Sequence, residues 1–243
     1  MANTRFAYTN LVDASTTTLT NSPSADASYP AANARNGERY IVWRSAVGPA
    51  SPIDYELDFG SAQAVTLAAG LNLGSTISSI EVESASAPPT WTLRATITPA
   101  GAVDKGAVFA SQSFRYWRFR VYNSAQFSIG RLWLGVVQSD MEGQMSPGTV
   151  KRTIKNRRRE MGPSGVQQSF YNGRALHQFD YRFGKITDSV RTLLDNVIQQ
   201  RTSILLIDDA DVFYETEAAD SLDWSVVFSN LQDVERATFQ ELL

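Results

Sequence analysis

The amino-acid sequence predicts a mainly β chain with a small α+β part at its C-terminal end, and three observations predict it. Apolar and polar residues alternate with a period of two through much of residues 1–137, the spacing of strands with one buried face. Gly- and Pro-bearing turns punctuate that region at short intervals. Only one later stretch, Thr187 to about Gln200, carries its apolar residues at helical spacing. Many short strands without a long helix predict a β-sandwich or jelly roll for residues 1–137.

The strands follow in order. Asp54-Tyr55-Glu56-Leu57-Asp58-Phe59 alternates without error, and Gly60 is expected to close it. Ile80-Glu81-Val82-Glu83 repeats the pattern, and Trp91, Leu93, Ala95 and Ile97 fall on one face of a third strand. Tyr116–Tyr122 is dense in aromatic and β-branched residues, which suit a pleated surface, and Ile129–Val137 reads as another strand. Turns are expected at Ser51-Pro52, Gly70, Pro88-Pro89, Pro99-Ala100-Gly101 and Asn123-Ser124. Residues 138–149, with Gly143, Pro147 and Gly148, read as a linker. Residues 150–243 then read as a small α+β unit. Its strands are expected at Val150–Lys155, Ala175–Phe183, Ser203–Ile207, Ser225–Phe228 and Arg236–Leu242, with Glu160–Gly165 as a loop. Its one helix follows Thr187, where Val190, Leu193, Leu194, Val197 and Ile198 form a single apolar stripe and Thr187 or Asp188 is placed to cap it.

With 243 residues, 43% of them hydrophobic and 19% charged, the chain can bury a sizeable core without staples and lies outside the disordered class. There is no cysteine, which excludes disulfides and thiolate metal sites. Met1–Asn10 lacks the apolar core of a secretory signal, and the most apolar stretch, Val65–Leu71, is far too short to span a bilayer. The net charge of −3 conceals an asymmetry. Residues 151–191 hold ten Lys or Arg against Glu160, Asp180 and Asp188, whereas beyond Ser203 ten Asp or Glu face only Arg236. Such separation favours electrostatic pairing within the fold or between copies.

Tyr29-Pro30-Ala31-Ala32-Asn33-Ala34, Gly37, Trp43-Arg44-Ser45 and Tyr55-Glu56-Leu57-Asp58-Phe59-Gly60 stand in an order that resembles the opening of a discoidin domain, the galactose-binding-like jelly roll. Arg115–Val121 followed by Ile129–Gly135 resembles the last two strands of that family. The resemblance covers about 130 residues. It departs from the animal members in lacking their disulfide, and it implies a fold without carrying over a ligand motif. A discoidin-like jelly roll joined to a small C-terminal unit is similar to minor or distal tail proteins of long-tailed bacteriophages. That likeness implies a structural subunit of a tail tip or baseplate and a homo-oligomeric ring, sixfold by analogy. The ring would join the tail tube to baseplate or fibre proteins within a virion assembled in a bacterial host. The alternative is a carbohydrate-binding module that attaches a particle or an enzyme to a cell-surface glycan.

Residues with chemical potential weigh toward structure. His177 is the only histidine, so any His-based relay or zinc site would depend on it, and its setting in Ala175–Phe179 reads as an ordinary strand. Asp208, Asp209 and Asp211 form an acidic turn that lacks the fixed offsets of a calcium loop. Arg157, Arg158 and Arg159 form a basic run without the interleaved aromatic residues of a single-strand binder. In a ring, one patch meets a different patch of the next copy. These arginines and aspartates are the expected subunit-interface charges, with pairing inside one chain weighed equally. Trp43, Trp91, Trp117, Trp133 and Trp224 read as core residues. No catalytic residue, cofactor, metal, nucleic acid or membrane span is expected, and the chain is read as a binding or assembly protein rather than an enzyme.

Overall fold

The computed structural model describes residues 5–20, 25–101 and 103–138. Beyond these it describes 150–154, 157–161, 167–171, 176–187, 192, 203–207, 212–218, 224–228 and 231–241. The chain divides into two compact units: residues 1–139 with 205–214, and residues 140–204 with 215–243.

The first unit contains β1 (Arg5–Ala7), β2 (Thr18–Leu19), β3 (Trp43–Arg44), β4 (Ile53–Leu73), β5 (Ile77–Ala85), β6 (Thr92–Ile97), β7 (Lys105–Asn123) and β8 (Ser128–Gly135). Among the described residues, one short 3-10 turn, Ala31–Arg35, interrupts them. The order β3-β8-β4-β7-β5-β6, with β2 against β4, makes an all-antiparallel sheet. Sequence neighbours β4 and β5 are separated by β7, which comes later in the chain, so the connections cross over. The two longest strands fold the sheet onto itself. Near its start β4 pairs with the end of β7, as in Tyr55 opposite Phe119; near its end it pairs with the start of β7 and with β8, as in Ala69 opposite Gly106 and Trp133. One apolar cluster joins Tyr55, Leu57 and Trp117 to Ala68, Ile80, Phe119 and Leu134, so these halves enclose a common core. The expectation of a β-sandwich of jelly-roll kind is met in this form.

Three expectations are corrected. Gly60 does not end its strand. It has φ +76° and lies within β4 where the register against β7 shifts between Asp58 and Gln63, a bulge that a glycine accommodates without strain. Gly70 is not a turn. It lies in β4 opposite Lys105 and Leu132, and the chain reverses three residues later around Asn72, φ +53°, and Gly74. Leu93 is half exposed rather than core, because a register shift between Val82 and Glu83 displaces β6 against β5; Ile97 remains buried.

A second apolar layer lies behind the sheet. Leu67, Ala69 and Leu71 of β4 and Trp133 of β8 point away from the sandwich core, and they pack with Ala7, Leu205, Ile207 and Phe213. Leu205–Ile207 belong to β13 (Ile204–Ile207), which pairs with β1 through Phe6 opposite Leu206. Gln138, read from sequence as the start of a linker, donates its backbone N–H to the Phe6 carbonyl at 2.8 Å and so belongs to this layer.

In the second unit, β9 (Val150–Ile154), β12 (Leu176–Thr187), β15 (Trp224–Phe228) and β16 (Leu231–Glu241) are joined by antiparallel pairing, with β12 between β9 and β16. The last residues of β14 (Phe213–Ala218), Thr216–Ala218, pair with β16. Among the described residues, β10 (Arg157–Met161) and β11 (Gln167–Tyr171) pair only with each other. Nearly all the described residues here are strand; of the expected helix only Thr192 is described, and it is helical, while the rest lies outside the described residues. Thr187, expected to cap that helix, is the last residue of β12. Glu160 and Met161, expected in a loop, are in β10. Residues 139–149 of the expected linker also lie outside the described residues.

Candidate functional site

The residues singled out from sequence do not assemble into a described site. Arg157, Arg158 and Arg159 lie in β10, opposite Tyr171, Phe170 and Ser169. Asp208, Asp209 and Asp211 lie outside the described residues. His177 is in β12 opposite Thr153. Trp43, Trp117 and Trp133 are fully buried, as expected of core residues, whereas Trp91 is half-buried, with the Arg118 guanidinium 4.6 Å from its ring centroid. Among the described residues no group of three His, Cys, Asp or Glu is placed to hold a metal, and no helix is long and apolar enough to cross a membrane.

A different set of side chains converges at one end of the sandwich. β3 is only two residues long, and strand alternation sends its side chains in opposite directions. Trp43 goes inward, 5.3 Å from the Tyr55 ring and edge-on to Phe127 at 5.1 Å. Arg44 goes outward, with its guanidinium 4.1 Å from the centroid of the Tyr29 ring. Backbone bonds fix the two partners: the Arg44 N–H donates to the Tyr29 carbonyl at 3.1 Å, and the Asp26 N–H to the Arg44 carbonyl at 2.9 Å. The Tyr29 loop is closed by the Ser28 N–H donating to Asp26 Oδ1 at 2.9 Å, an Asx turn of the kind aspartate favours.

Arg44 forms one wall of a shallow depression of about 190 Å³, lined otherwise by Gly74, Ser75, Thr76, Gln126, Phe127 and Ser128. Two turns meet there, and they are stitched together. The Gly74 N–H donates to the Ser128 carbonyl at 2.8 Å and the Ser124 N–H to the Thr76 carbonyl at 3.1 Å. Thr76 Oγ1 donates to the Gln126 carbonyl at 2.9 Å, and Gln126 Nε2 to the Ser45 carbonyl at 2.8 Å. Ser45 Oγ accepts from the Phe127 N–H at 3.1 Å. Gly74 is required for the close approach, since a Cβ there would lie 3.0 Å from the Ser128 nitrogen.

A buried ion pair holds the strand end that leads into the depression. Arg39 and Asp104, whose side chains are 6% and 4% exposed, meet at 2.9 Å. Asp104 Oδ1 also accepts the Asn72 N–H at 2.8 Å, while Asn72 Nδ2 donates to the Arg39 carbonyl at 3.1 Å. Asn72 therefore keeps its left-handed conformation two residues before Gly74. The Phe127 ring is buried in the core against Trp43 beneath the depression, and the side chains that line it are hydroxyl, amide and guanidinium.

The sign of the charge is the distinctive electrostatic feature. Arg39, Arg115, Arg118, Arg120 and Arg131 each pair with a carboxylate. Arg35 donates to the carbonyls of Val12, Ala14 and Thr17, and Arg94 to Ser84 Oγ. Arg44 forms no ion pair with any carboxylate among the described residues, and the rest of the lining is neutral. Sequence reasoning quoted Tyr29 and Arg44 only for their place in the discoidin resemblance. The signal that would have found the site is the pair of polar turn clusters, Asn72–Thr76 and Asn123–Ser128, at the two ends of strands that neighbour β3 or β4.

No family model matches the chain, and no curated protein matches it in sequence. Solved structures with some likeness include the chitosan-binding module 1 of a chitosanase/glucanase from Paenibacillus sp. IK-5, at 24% identity over 53% of this chain and 99% of that one, TM-score 0.44. Another is the family 32 carbohydrate-binding module of Clostridium perfringens NanJ in complex with galactose, at 18% identity over 54% of this chain and 98% of that one, TM-score 0.45. A third is a family 32 carbohydrate-binding module of a family 31 glycoside hydrolase from Clostridium perfringens, at 18% identity over 51% and 92%, TM-score 0.43.

Proposed function

We propose that the N-terminal sandwich is a saccharide-binding module whose site is the depression beside Arg44. The observation that carries this reading is the half-buried Tyr29 ring, stacked on Arg44, beside a depression that offers hydroxyl and amide groups. A pyranose needs both surfaces. Its hydroxyls take directional hydrogen bonds from polar groups, and its apolar C–H face packs on an aromatic ring. The depression is smaller than the ~300–1,000 Å³ clefts that enclose drug-sized ligands, so it suits one sugar ring at the end or along the side of a longer glycan. Both walls are turns held by backbone hydrogen bonds, which lowers the ordering cost of binding. The mechanism is recognition without chemistry: the module holds whatever it is joined to against a glycan-bearing surface. A glycan array probed with the full chain tests the reading. Retention on a defined set of saccharides, reduced about tenfold or more by Tyr29→Ala, is expected; an array on which no saccharide retains the protein overturns it.

A second reading is assembly, and the β10–β11 hairpin favours it. Two-stranded sheets are marginal in water without a surface to pack on, and this one places Arg157 and Arg158 opposite Tyr171 and Phe170. The reading is a ring-forming subunit of a bacteriophage tail tip, a virion component that carries the saccharide module outward. In it, Arg157, Arg158 and Arg159 meet Asp208, Asp209 and Asp211 of the next copy. Native mass spectrometry tests it: a ring of defined order that is lost when the three arginines are changed to glutamate is expected, and a monomer at micromolar concentration removes the assembly reading.

A further inference from the structure

We infer that the sugar held in the depression is acidic, bearing a carboxylate or sulfate that Arg44 reads; this inference rests on the saccharide reading above. Three observations converge on it. Arg44 carries a full positive charge at the rim, and the side chains around it, Ser75, Thr76, Gln126 and Ser128, are all uncharged. The nearest carboxylate in its own hydrogen-bonded loop is Asp26, which makes no ion pair with Arg44 and whose Oδ1 already accepts the Ser28 N–H. The Tyr29 ring covers one face of the guanidinium at 4.1 Å, which leaves the in-plane N–H donors as the groups able to serve a ligand.

Those donors form a planar fork. A guanidinium fork matches the two oxygens of a carboxylate, or two of a sulfate, with parallel hydrogen bonds. Stacking on an aromatic ring fixes the plane of the fork before the ligand arrives, so little side-chain entropy is lost on binding. A neutral sugar would leave this charge uncompensated in a partly enclosed place. Of the other guanidinium groups of the sandwich, those of Arg39, Arg115, Arg118, Arg120 and Arg131 face carboxylates and that of Arg35 faces backbone carbonyls, while Arg94, which donates its Nε to Ser84 Oγ, lies outside the lining of the depression. Arg44 forms one wall of the depression, where an exocyclic acidic group of a bound pyranose can reach it.

The test is isothermal titration of the full chain with matched ligands: galactotetraose, tetragalacturonate, and galactose with and without a 6-sulfate. The expected result is that an acidic ligand binds at least about tenfold more tightly than its neutral counterpart, the worth of one charge-assisted bidentate contact. Raising the ionic strength should weaken the acidic ligand selectively. Arg44→Gln should abolish the preference, bringing the acidic ligand down to the affinity that the same variant shows for its neutral counterpart. Arg44→Lys, which keeps the charge without the fork, should retain part of it. Comparison of the uronate with the sulfate identifies which oxyanion is read. Equal affinity for neutral and acidic ligands, or a preference that survives Arg44→Gln, overturns the inference and leaves the saccharide reading standing. Failure of every ligand in the array and in the titrations removes both.

Discussion

At the scale of single residues, the described charges act mainly as braces. Arg39 and Asp104 are buried together, and Asp104 also holds the Asn72 N–H. Removing one partner of such a pair strands the other charge in a poorly solvated place. Asp104→Ala is expected to cost about 3–5 kcal/mol, read as a lower urea midpoint at unchanged slope. The exposed pair Arg115–Asp58, at 2.7 Å, behaves differently. The hydrogen bond from Arg115 holds the Asp58 carboxyl below the ordinary aspartate value, against a smaller opposing effect of desolvation. A carboxylate depressed in the folded state stabilises above its unfolded pKa, and that contribution is lost as pH falls through the folded value. Arg115→Ala is therefore expected to be less stable than the parent at neutral pH and indistinguishable from it in strong acid. Urea midpoints at the two pH values check this, and a difference that persists in acid would assign Arg115 a role other than its charge. The sequence made the alternation legible at this scale, as in Trp43 inward and Arg44 outward. It could not pair Arg39 with Asp104 across 65 residues or show that the depression around Arg44 is lined by neutral side chains.

Individual elements show where pattern reading succeeds and where it fails. The strands β4, β5, β7 and β8 were legible because one face meets the core and period two is the direct consequence. Bulges were not, since a register shift leaves no mark on composition; this is why Gly60 read as an end and Leu93 as core. The continuous apolar run Val65–Leu71 was taken only as too short for a membrane. It reflects burial on both faces: Ala68 faces the sandwich core and Leu67, Ala69 and Leu71 face the second layer, the condition under which a strand loses its alternation. Ile204–Ile207, buried at every position, carries the same signature, and the two runs are partners. Glycine is fixed where strands crowd. A Cβ at Gly130 in β8 would lie 2.2 Å from the Arg39 carbonyl oxygen and 2.6 Å from Asn72 Cβ, so neither the loop nor the clamp can admit it. Gly130→Ala is expected to destabilise by about 1–3 kcal/mol through overpacking, and a melting curve matching the parent would show that the Arg39 loop is free to move.

For the whole molecule, the first unit is not a contiguous stretch of chain. Sequence reading ended the sandwich at residue 137 on a change of composition, and composition cannot reveal that β13 returns to pair with β1. A chain ending at Ser139 would keep the sandwich core intact but leave Leu67, Leu71 and Trp133 without Leu205, Ile207 and Phe213. Expressed alone, residues 1–139 are expected to aggregate or to bind a hydrophobic dye that the full chain does not; a monodisperse, dye-silent fragment of parental stability would show that the second layer contributes nothing. The same arrangement sets a timetable for the nascent protein. About 70 residues separate Gly135 from Ile204, which a ribosome adding ~5–20 residues per second needs roughly 3–14 s to produce. Throughout that interval a sheet whose inner contacts are complete waits with one greasy side bare.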